Sequence, residues 1–284
     1  MKLKRKRTQT ITPDIFLDSG AFSAFTKGVE IDIHEYIRFL KEWRSRITCY
    51  ANLDVIGDAE GTLENQRIME SEGLSPIPCF HQGEDYSFLK DYVAGYEYIA
   101  LGGLAGNRFS RTEVLRHLDE CFDVICCSAS GLPQVKVHGF GLTSLPAMVR
   151  YPWYSVDSTS WVITSRMGSI YVPIRARNKW CYDENSWKVS VSARSPAKKD
   201  AGDHYDNLTP MQKGIVDRYL KDKGYPMGKS VFDDEGAEEI VESGICNSYP
   251  LRDEINIQYF LDLEKHLPEW PWKWRSRRTR GMGL

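Results

Sequence analysis

The feature that most constrains this chain is a repeated unit, in which a short apolar segment ends in a polar or small residue and gives way to an amphipathic helical pattern. Ile15-Phe16-Leu17 ends at Asp18-Ser19-Gly20, and Cys49-Tyr50-Ala51-Asn52-Leu53 ends at Asp54. Ile77-Pro78-Cys79-Phe80 leads to His81-Gln82-Gly83, and Tyr98-Ile99-Ala100-Leu101 to Gly102-Gly103. Val135-Lys136-Val137 leads to His138-Gly139-Phe140-Gly141, and Tyr154-Ser155-Val156 to Asp157. Helical spacing fills roughly 33–45, with Tyr36, Ile37, Leu40 and Trp43 on one face, and again 60–72 and 111–124. Strands alternating with helices pair in parallel, and six units in a row favour closure over a short open sheet. The predicted fold class is therefore α/β, a TIM-type (β/α)8 barrel over residues 14–193, regular or irregular. Ser169-Ile170-Tyr171-Val172 and Lys188-Val189-Ser190-Val191 are candidates for its remaining staves.

The flanks differ in character. Residues 1–13 form a basic N-terminal tail that opens Lys2-Leu3-Lys4-Arg5-Lys6-Arg7, and residues 194–284 form a C-terminal helical extension, packed on the barrel or separate. Within it, 194–207 reads as a polar loop. Thr209-Pro210 is an N-cap followed by Pro at the first helical position, starting a helix to about 223. A last amphipathic helix spans about 251–267 and stops at Pro268. The run Trp270-Pro271-Trp272-Lys273-Trp274 is expected to pin the tail to the body, and Lys273, Arg275, Arg277, Arg278 and Arg280 make that end basic.

Of 284 residues, 42% are hydrophobic and 27% charged, with a net charge of −2, so bulk charge alone does not select a nucleic-acid partner. The seven cysteines form no Cys-x-x-Cys pair and no signal peptide is evident, which predicts free thiols in a reducing cytoplasm. No apolar stretch approaches the roughly 18 residues of a membrane span. Cys181, Cys246, His204 and His266 lack metal-like spacing, so no metal is expected.

In barrels, active sites form at the C-terminal ends of the strands. Asp18, Asp54, Gln82, Gly102, Gly103, His138 and Asp157 are thus expected in one pocket. A carboxylate accepts two hydrogen bonds from the N1–H and exocyclic amine of guanine, and an amide or backbone N–H donates to its O6. Glycine admits close approach to a flat base, and Phe22 or Phe140 offers a stacking face. Two further carboxylates suit substitution at an anomeric carbon, one as nucleophile and one as proton shuttle.

These segments resemble the tRNA-guanine transglycosylase superfamily. Asp18-Ser19-Gly20-Ala21-Phe22 is similar to its Asp-Ser-Gly-Gly-Phe/Tyr motif, His81-Gln82-Gly83 to its Gln-Gly-Gly segment, and Leu101-Gly102-Gly103-Leu104-Ala105 to its Gly-Gly-Leu-Ala. His138-Gly139-Phe140-Gly141 matches a Met-Gly-x-Gly-like turn, Asp54 the base-reading Asp, and Val156-Asp157-Ser158 the place of the nucleophilic Asp. The resemblance covers about residues 14–165. It implies that Asp157 attacks C1′ of the target nucleotide and that Asp18 acts as general acid/base, with Ser19 beside it in the same motif. It further implies that Asp54, Gln82 and the Gly103 backbone N–H read the base, with Gly102 in the same segment. Phe22 would stack on the base, with His138 or Phe140 opposite, and the exchange would need no cofactor because one glycosidic bond replaces another.

The family's zinc motif, Cys-x-Cys-x-x-Cys with a later His, has no counterpart, and the part preceding Asp18 is short. Both departures are similar to the DpdA-like branch of DNA 7-deazaguanine transglycosylases, found in phages and bacterial modification clusters. The resemblance therefore implies DNA as polymer, with tRNA the alternative, and free 7-cyano-7-deazaguanine as co-substrate. The protein would then work in the cytoplasm, the host's if phage-encoded. Arg166, Arg175, Arg177 and Lys179 are candidate phosphate contacts to a flipped-out nucleotide. Competing readings are a base-excising glycosidase or nucleoside ribosyltransferase using the same carboxylates, and a non-catalytic nucleic-acid-binding barrel.

Overall fold

The computed structural model describes residues 14–104, 110–142, 144–195 and 204–276. The basic tail at 1–13, Ala105 of the glycine-rich segment, and Arg277, Arg278 and Arg280 lie outside the described residues. The chain divides into two compact units. One comprises residues up to Gly102 together with Val135–Val137, and the other Gly103–Gln134 together with His138 onward.

The first unit is a succession of short parallel pairs. Strand β1 (Phe16–Leu17) lies beside β2 (Cys49–Tyr50), with Phe16 opposite Cys49. The chain after β2 bridges Ile77 through Ala51, and β3 (Cys79–His81) pairs with β4 (Tyr98–Gly102), placing His81 opposite Gly102. The intervening helices are α1 (Ala21–Lys27), α2 (Ile33–Glu42), α3 (Ala59–Ser71) and α4 (Tyr86–Gly95). The last three start where Asp32, Asp58 and Asp85 accept a backbone N–H, relieving donors that the first helical turn leaves unpaired. Tyr36, Ile37, Leu40, Leu53, Met69 and Leu74 form a core beneath them.

Strand β5 (Lys136–Gly139) carries the chain from the first unit into the second. The second unit opens with α5 (Arg111–Ile125), begun by a reciprocal capping box between Ser110 and Glu113. Helix α6 (Leu145–Arg150) follows β5 and leads to β6 (Ser155–Val156), parallel to β5, and then α7 (Ser160–Arg166). Next come β7 (Ser169–Val172), β8 (Ile174–Ala176), β9 (Lys179–Cys181) and β10 (Trp187–Ser190). The two segments expected as further staves pair antiparallel with each other instead, as β7 and β10. The reason lies between them, where the chain forms only the β8–β9 hairpin, whereas parallel neighbours need a crossover, usually a helix.

Helix α8 (Pro210–Lys223) starts at Thr209 as expected, through a capping box with Gln212. The predicted all-helical extension also contains an antiparallel hairpin, β11 (Lys229–Phe232) and β12 (Glu238–Glu242). Its turn is folded by Asp233, whose Oδ1 accepts the Glu235 and Ala237 N–H groups. Helix α9 (Tyr249–His266) closes the unit. The expected boundary at 193/194 lies inside this unit, because Ile170, Val172 and Val189 share one core with Val216, Tyr219, Leu220 and Ile255. Among the described residues the hydrogen bonds link short parallel and antiparallel strands in sets of two or four, and trace no closed ring of strands. No described helix is long and apolar enough to cross a membrane.

The aromatic tail is pinned as expected. Trp274 packs 5.8 Å from Phe122 and 5.6 Å from Tyr151 between ring centroids, and its N–H donates to Gly131 O. Trp270 Nε1 donates to Pro152 O.

Helix α9 also holds its neighbours by polar groups. The fully buried Asn256 accepts the Tyr171 N–H through Oδ1 and donates through Nδ2 to Trp161 O and Ser169 O. Replacing Asn256 with Ala strands the buried Tyr171 N–H, so Asn256→Ala is expected to cost about 1–3 kcal/mol. Denaturant unfolding of the two proteins checks this, and an unchanged midpoint would remove Asn256 from the account.

Candidate functional site

In the first unit, β1 ends at Asp18, whose Oδ1 accepts the Gly20 N–H at 3.3 Å. Ser19 is buried and its Oγ accepts the Ala21 N–H at 3.4 Å. Gly20, at φ 76°, makes the left-handed turn into α1, a conformation that favours glycine. Asp18 is left exposed, and Phe22, on the first turn of α1, is 62% exposed.

A denser cluster lies at the ends of β2 and β3. Cys79 and His81 alternate along β3 and so share a face. His81 Nε2 lies 3.5 Å from Cys79 Sγ and 3.3 Å from Asp54 Oδ2. On the other side of the ring, His81 Nδ1 is 3.2 Å from Glu84 Oε1, and the other oxygen of Glu84 accepts the His81 N–H at 3.0 Å. Gly102 stands opposite. A Cβ there would meet His81 Cδ2 at 2.6 Å and Cys79 Sγ at 2.9 Å, so the missing side chain makes room for both. Asp54 Oδ1 and Gln82 Oε1 are buried and have no hydrogen-bond partner among the described residues.

Burial pushes the Asp54 carboxyl above its ordinary range, more than the neighbouring His81 lowers it, and the charges of Glu84 and Asp18 add to the rise. Burial likewise drives the Cys79 thiol up to about 12. For His81 burial opposes the charged form, but Cys79, Asp54 and Glu84 outweigh it and raise its pKa. Asp54, Cys79 and His81 offer three ligand atoms within 4.8 Å of one another, the only such His/Cys/Asp/Glu group found among the described residues.

The second unit carries the other expected residues. Gly103 is exposed, at φ 72°. Parallel pairing sets His138 opposite Ser155 and Gly139 opposite Val156, and the Asp157 N–H donates to Gly139 O at 3.2 Å. In that register His138 Nδ1 and Ser155 Oγ are 2.6 Å apart. Ser155 thereby aims the imidazole, whose Nε2 lies 3.5 Å from Asp157 Oδ1. The Gly141 N–H donates to the same oxygen at 2.7 Å. Phe140 packs edge-on to His138, with centroids 4.5 Å apart.

Partial burial raises the Asp157 carboxyl, but the neighbouring His138 and the hydrogen bond from Gly141 N–H prevail, and its pKa falls below the ordinary value. Its side chain is still 53% exposed. Asp157 stands at the edge of a cavity of about 550 Å³ whose walls include Trp153, Trp161, Phe260 and Leu263. The α9 side of this cavity escaped the sequence reading, since Phe260 and Leu263 show only helical periodicity.

Of the four cations proposed for phosphate, Arg175, Arg177 and Lys179 lie on the β8–β9 hairpin, and Arg166 instead ends α7. The turn is made by Arg177 at φ 48° and Asn178 at φ 63°. Arg175 is held over the Trp180 ring at 5.4 Å, and Arg177 and Lys179 are exposed. His81, Cys79, Glu84, Ser155 and Gly141 were not singled out from sequence as site residues. The Cys-x-His alternation on β3 was the available signal for the first two.

No family model, curated protein or solved structure matches the chain.

The Asp157 environment makes a direct claim about charge. A depressed pKa keeps the carboxylate ionised down to and below its ordinary pKa of about 3.9. In His138→Phe the imidazole 3.5 Å from Asp157 Oδ1 is gone, and the Asp157 carboxyl is expected to titrate at higher pH than in the parent. Carboxyl-carbon NMR across an acid titration measures this, and superimposable curves would dismiss the His138 contact.

Proposed function

We propose that the chain is a DNA-guanine transglycosylase, a pentosyltransferase that exchanges guanine for a 7-deazaguanine through a covalent Asp157 glycosyl intermediate. The observation that carries this reading is the Asp157 carboxylate. It is half-exposed beside a cavity and kept ionised by Gly141 N–H and by a histidine that Ser155 aims. A carboxylate so held is a nucleophile rather than a proton donor.

In this reading an Asp157 oxygen attacks C1′ as the C1′–N9 bond breaks, and guanine leaves with the bonding pair and takes up a proton. Asp18 then removes the N9 proton of the incoming 7-deazaguanine, whose nitrogen attacks C1′ and expels Asp157. Two inversions retain configuration, and one glycosidic bond replaces another without an external energy source. Asp54, Gln82, Gly102 and the Gly103 N–H are assigned to the guanine edge, with Ser19 supporting Asp18 and Phe22, His138 and Phe140 to the base faces. The parallel pairs are taken as staves of an irregular barrel. The β8–β9 hairpin and Arg166 are assigned to the phosphate backbone, consistent with exposed cations on a tight turn.

Purified protein is incubated with 7-cyano-7-deazaguanine and either duplex DNA or unmodified tRNA, and the digested nucleosides are quantified by mass spectrometry. The deazanucleoside is expected in DNA, and Asp157→Ala should reduce it by several orders of magnitude while leaving DNA binding within a few-fold. Incorporation confined to tRNA would overturn the choice of polymer. Guanine release without incorporation would replace exchange by base excision. Neither reaction, with DNA binding intact, would make the chain a binding protein.

A further inference from the structure

We propose that Asp54, Cys79 and His81 form a three-ligand site for a zinc ion, held through Asp54 Oδ2, Cys79 Sγ and His81 Nε2. The separations fit a shared ion, and the nitrogen-to-oxygen distance is longer than a direct ion pair would give. Zinc binds Cys sulfur at about 2.3 Å and His nitrogen or carboxylate oxygen at about 2.0–2.1 Å, so tetrahedral ligands stand about 3.3 Å (N to O) and 3.6 Å (N to S) apart. The observed separations are 3.3 Å for Nε2 to Oδ2 and 3.5 Å for Nε2 to Sγ. A charge-assisted contact between imidazolium and carboxylate would close to about 2.7–2.9 Å.

Three further features support the assignment. Glu84 takes the far side of the imidazole, with Oε1 3.2 Å from Nδ1. That is the carboxylate–histidine arrangement that holds metal-ligating histidines with the other nitrogen's lone pair facing the ion. The Asp54 side chain is nine-tenths buried, and its Oδ1 has no partner among the described residues, a costly state for a buried polar atom. Cys79 is fully buried beside these polar groups, and Gly102 supplies the space the cluster occupies.

Thiolate, imidazole and carboxylate together suit zinc better than magnesium or calcium. On binding, the Cys79 S–H bond breaks, its proton goes to solvent and the sulfur pair bonds the ion. Three protein ligands leave a fourth position for water or for a heteroatom of a bound molecule, as in sites that act on a ligand rather than only brace a fold. If Asp54 holds the ion through Oδ2, any base-reading by Asp54 falls to Oδ1. The inference does not otherwise rest on the transglycosylase reading.

The full-length chain, stripped with a chelator, is titrated with zinc and separately with cobalt(II), and metal content is measured after gel filtration. One equivalent of zinc per chain is expected. The cobalt protein should show the strong visible bands of tetrahedral geometry together with a near-ultraviolet thiolate charge-transfer band. Cys79→Ser should abolish the charge-transfer band, and Glu84→Gln should weaken zinc by about 10–100-fold in a competition with a chromophoric chelator. Failure to retain zinc, or a cobalt spectrum without the thiolate band, would overturn the site using the unmutated protein alone. So would zinc affinity in Cys79→Ser equal to that of the parent. Because the readouts are stoichiometry and spectrum, they stand whether or not the protein exchanges bases.

Discussion

Short strands leave backbone groups that no ladder can pair, and this need shapes both units. The strands run from two to five residues. Beyond their ends, buried N–H and C=O groups require other partners, or each costs on the order of a hydrogen bond. Buried side chains supply them. In the first unit Asn52 donates to Thr62 O and accepts the Leu53 N–H, Gln66 donates to Pro76 O, and the Tyr36 hydroxyl donates to Ala51 O. In the second, Arg252 donates to Ser165 O and Ile245 O, and Asn256 joins β7 to the start of α7. Polar contacts of this kind tie these segments together alongside the two apolar cores.

The two side-chain clusters are an extension of the same arrangement. Where a strand stops, the next residues are free to turn their polar atoms toward one another instead of into a ladder. The parallel register of β5 and β6 sets Ser155 beside His138, and the turn after β5 then brings the Gly141 N–H to the Asp157 carboxylate. On β3 the two-residue alternation of a strand brings Cys79 and His81 onto one face, and a glycine on the neighbouring strand accepts their bulk. The Asp157 group also uses a left-handed turn at Gly141, at φ 62°, to present that residue's N–H.

Much of this was legible because apolar runs ending in Asp, His or Gly mark strand ends directly. Phe16–Leu17, Cys79–His81, Tyr98–Gly102 and Lys136–Gly139 fall within a residue or two of the expected positions, and so does the start of α8 at Thr209. Pairing partners were less accessible. Ser169–Val172 and Trp187–Ser190 are as apolar as any parallel stave, and only the hairpin folded between them determines that they run antiparallel. The β11–β12 hairpin was missed because its strands are mostly exposed and rich in charge, so no apolar alternation marks them. The Glu84 and Ser155 contacts were invisible for a different reason. Each depends on which ring nitrogen faces which neighbour, a matter of side-chain direction that spacing along the chain does not encode.

Asp54 and Asp157 show how far environment outweighs residue type. Both follow a short parallel strand, and both lie beside a histidine. Yet burial raises the first, while a backbone N–H and an aimed imidazole lower the second. Opposite shifts on like groups are the usual sign of divided chemical labour. A carboxylate kept ionised and half in solvent can offer an electron pair to an electrophilic carbon. One buried with an oxygen lacking a partner gains most from a proton, a base edge or a cation. The histidines divide in the same way. His138 is oriented by a neutral hydroxyl and supports a carboxylate, whereas His81 lies between two carboxylates with a thiol alongside. Burial holds the Cys79 thiol and the Asp54 carboxyl toward their protonated forms, whereas the Asp157 carboxyl is held toward its ionised form, so the two clusters differ in charge although both pair an aspartate with a histidine.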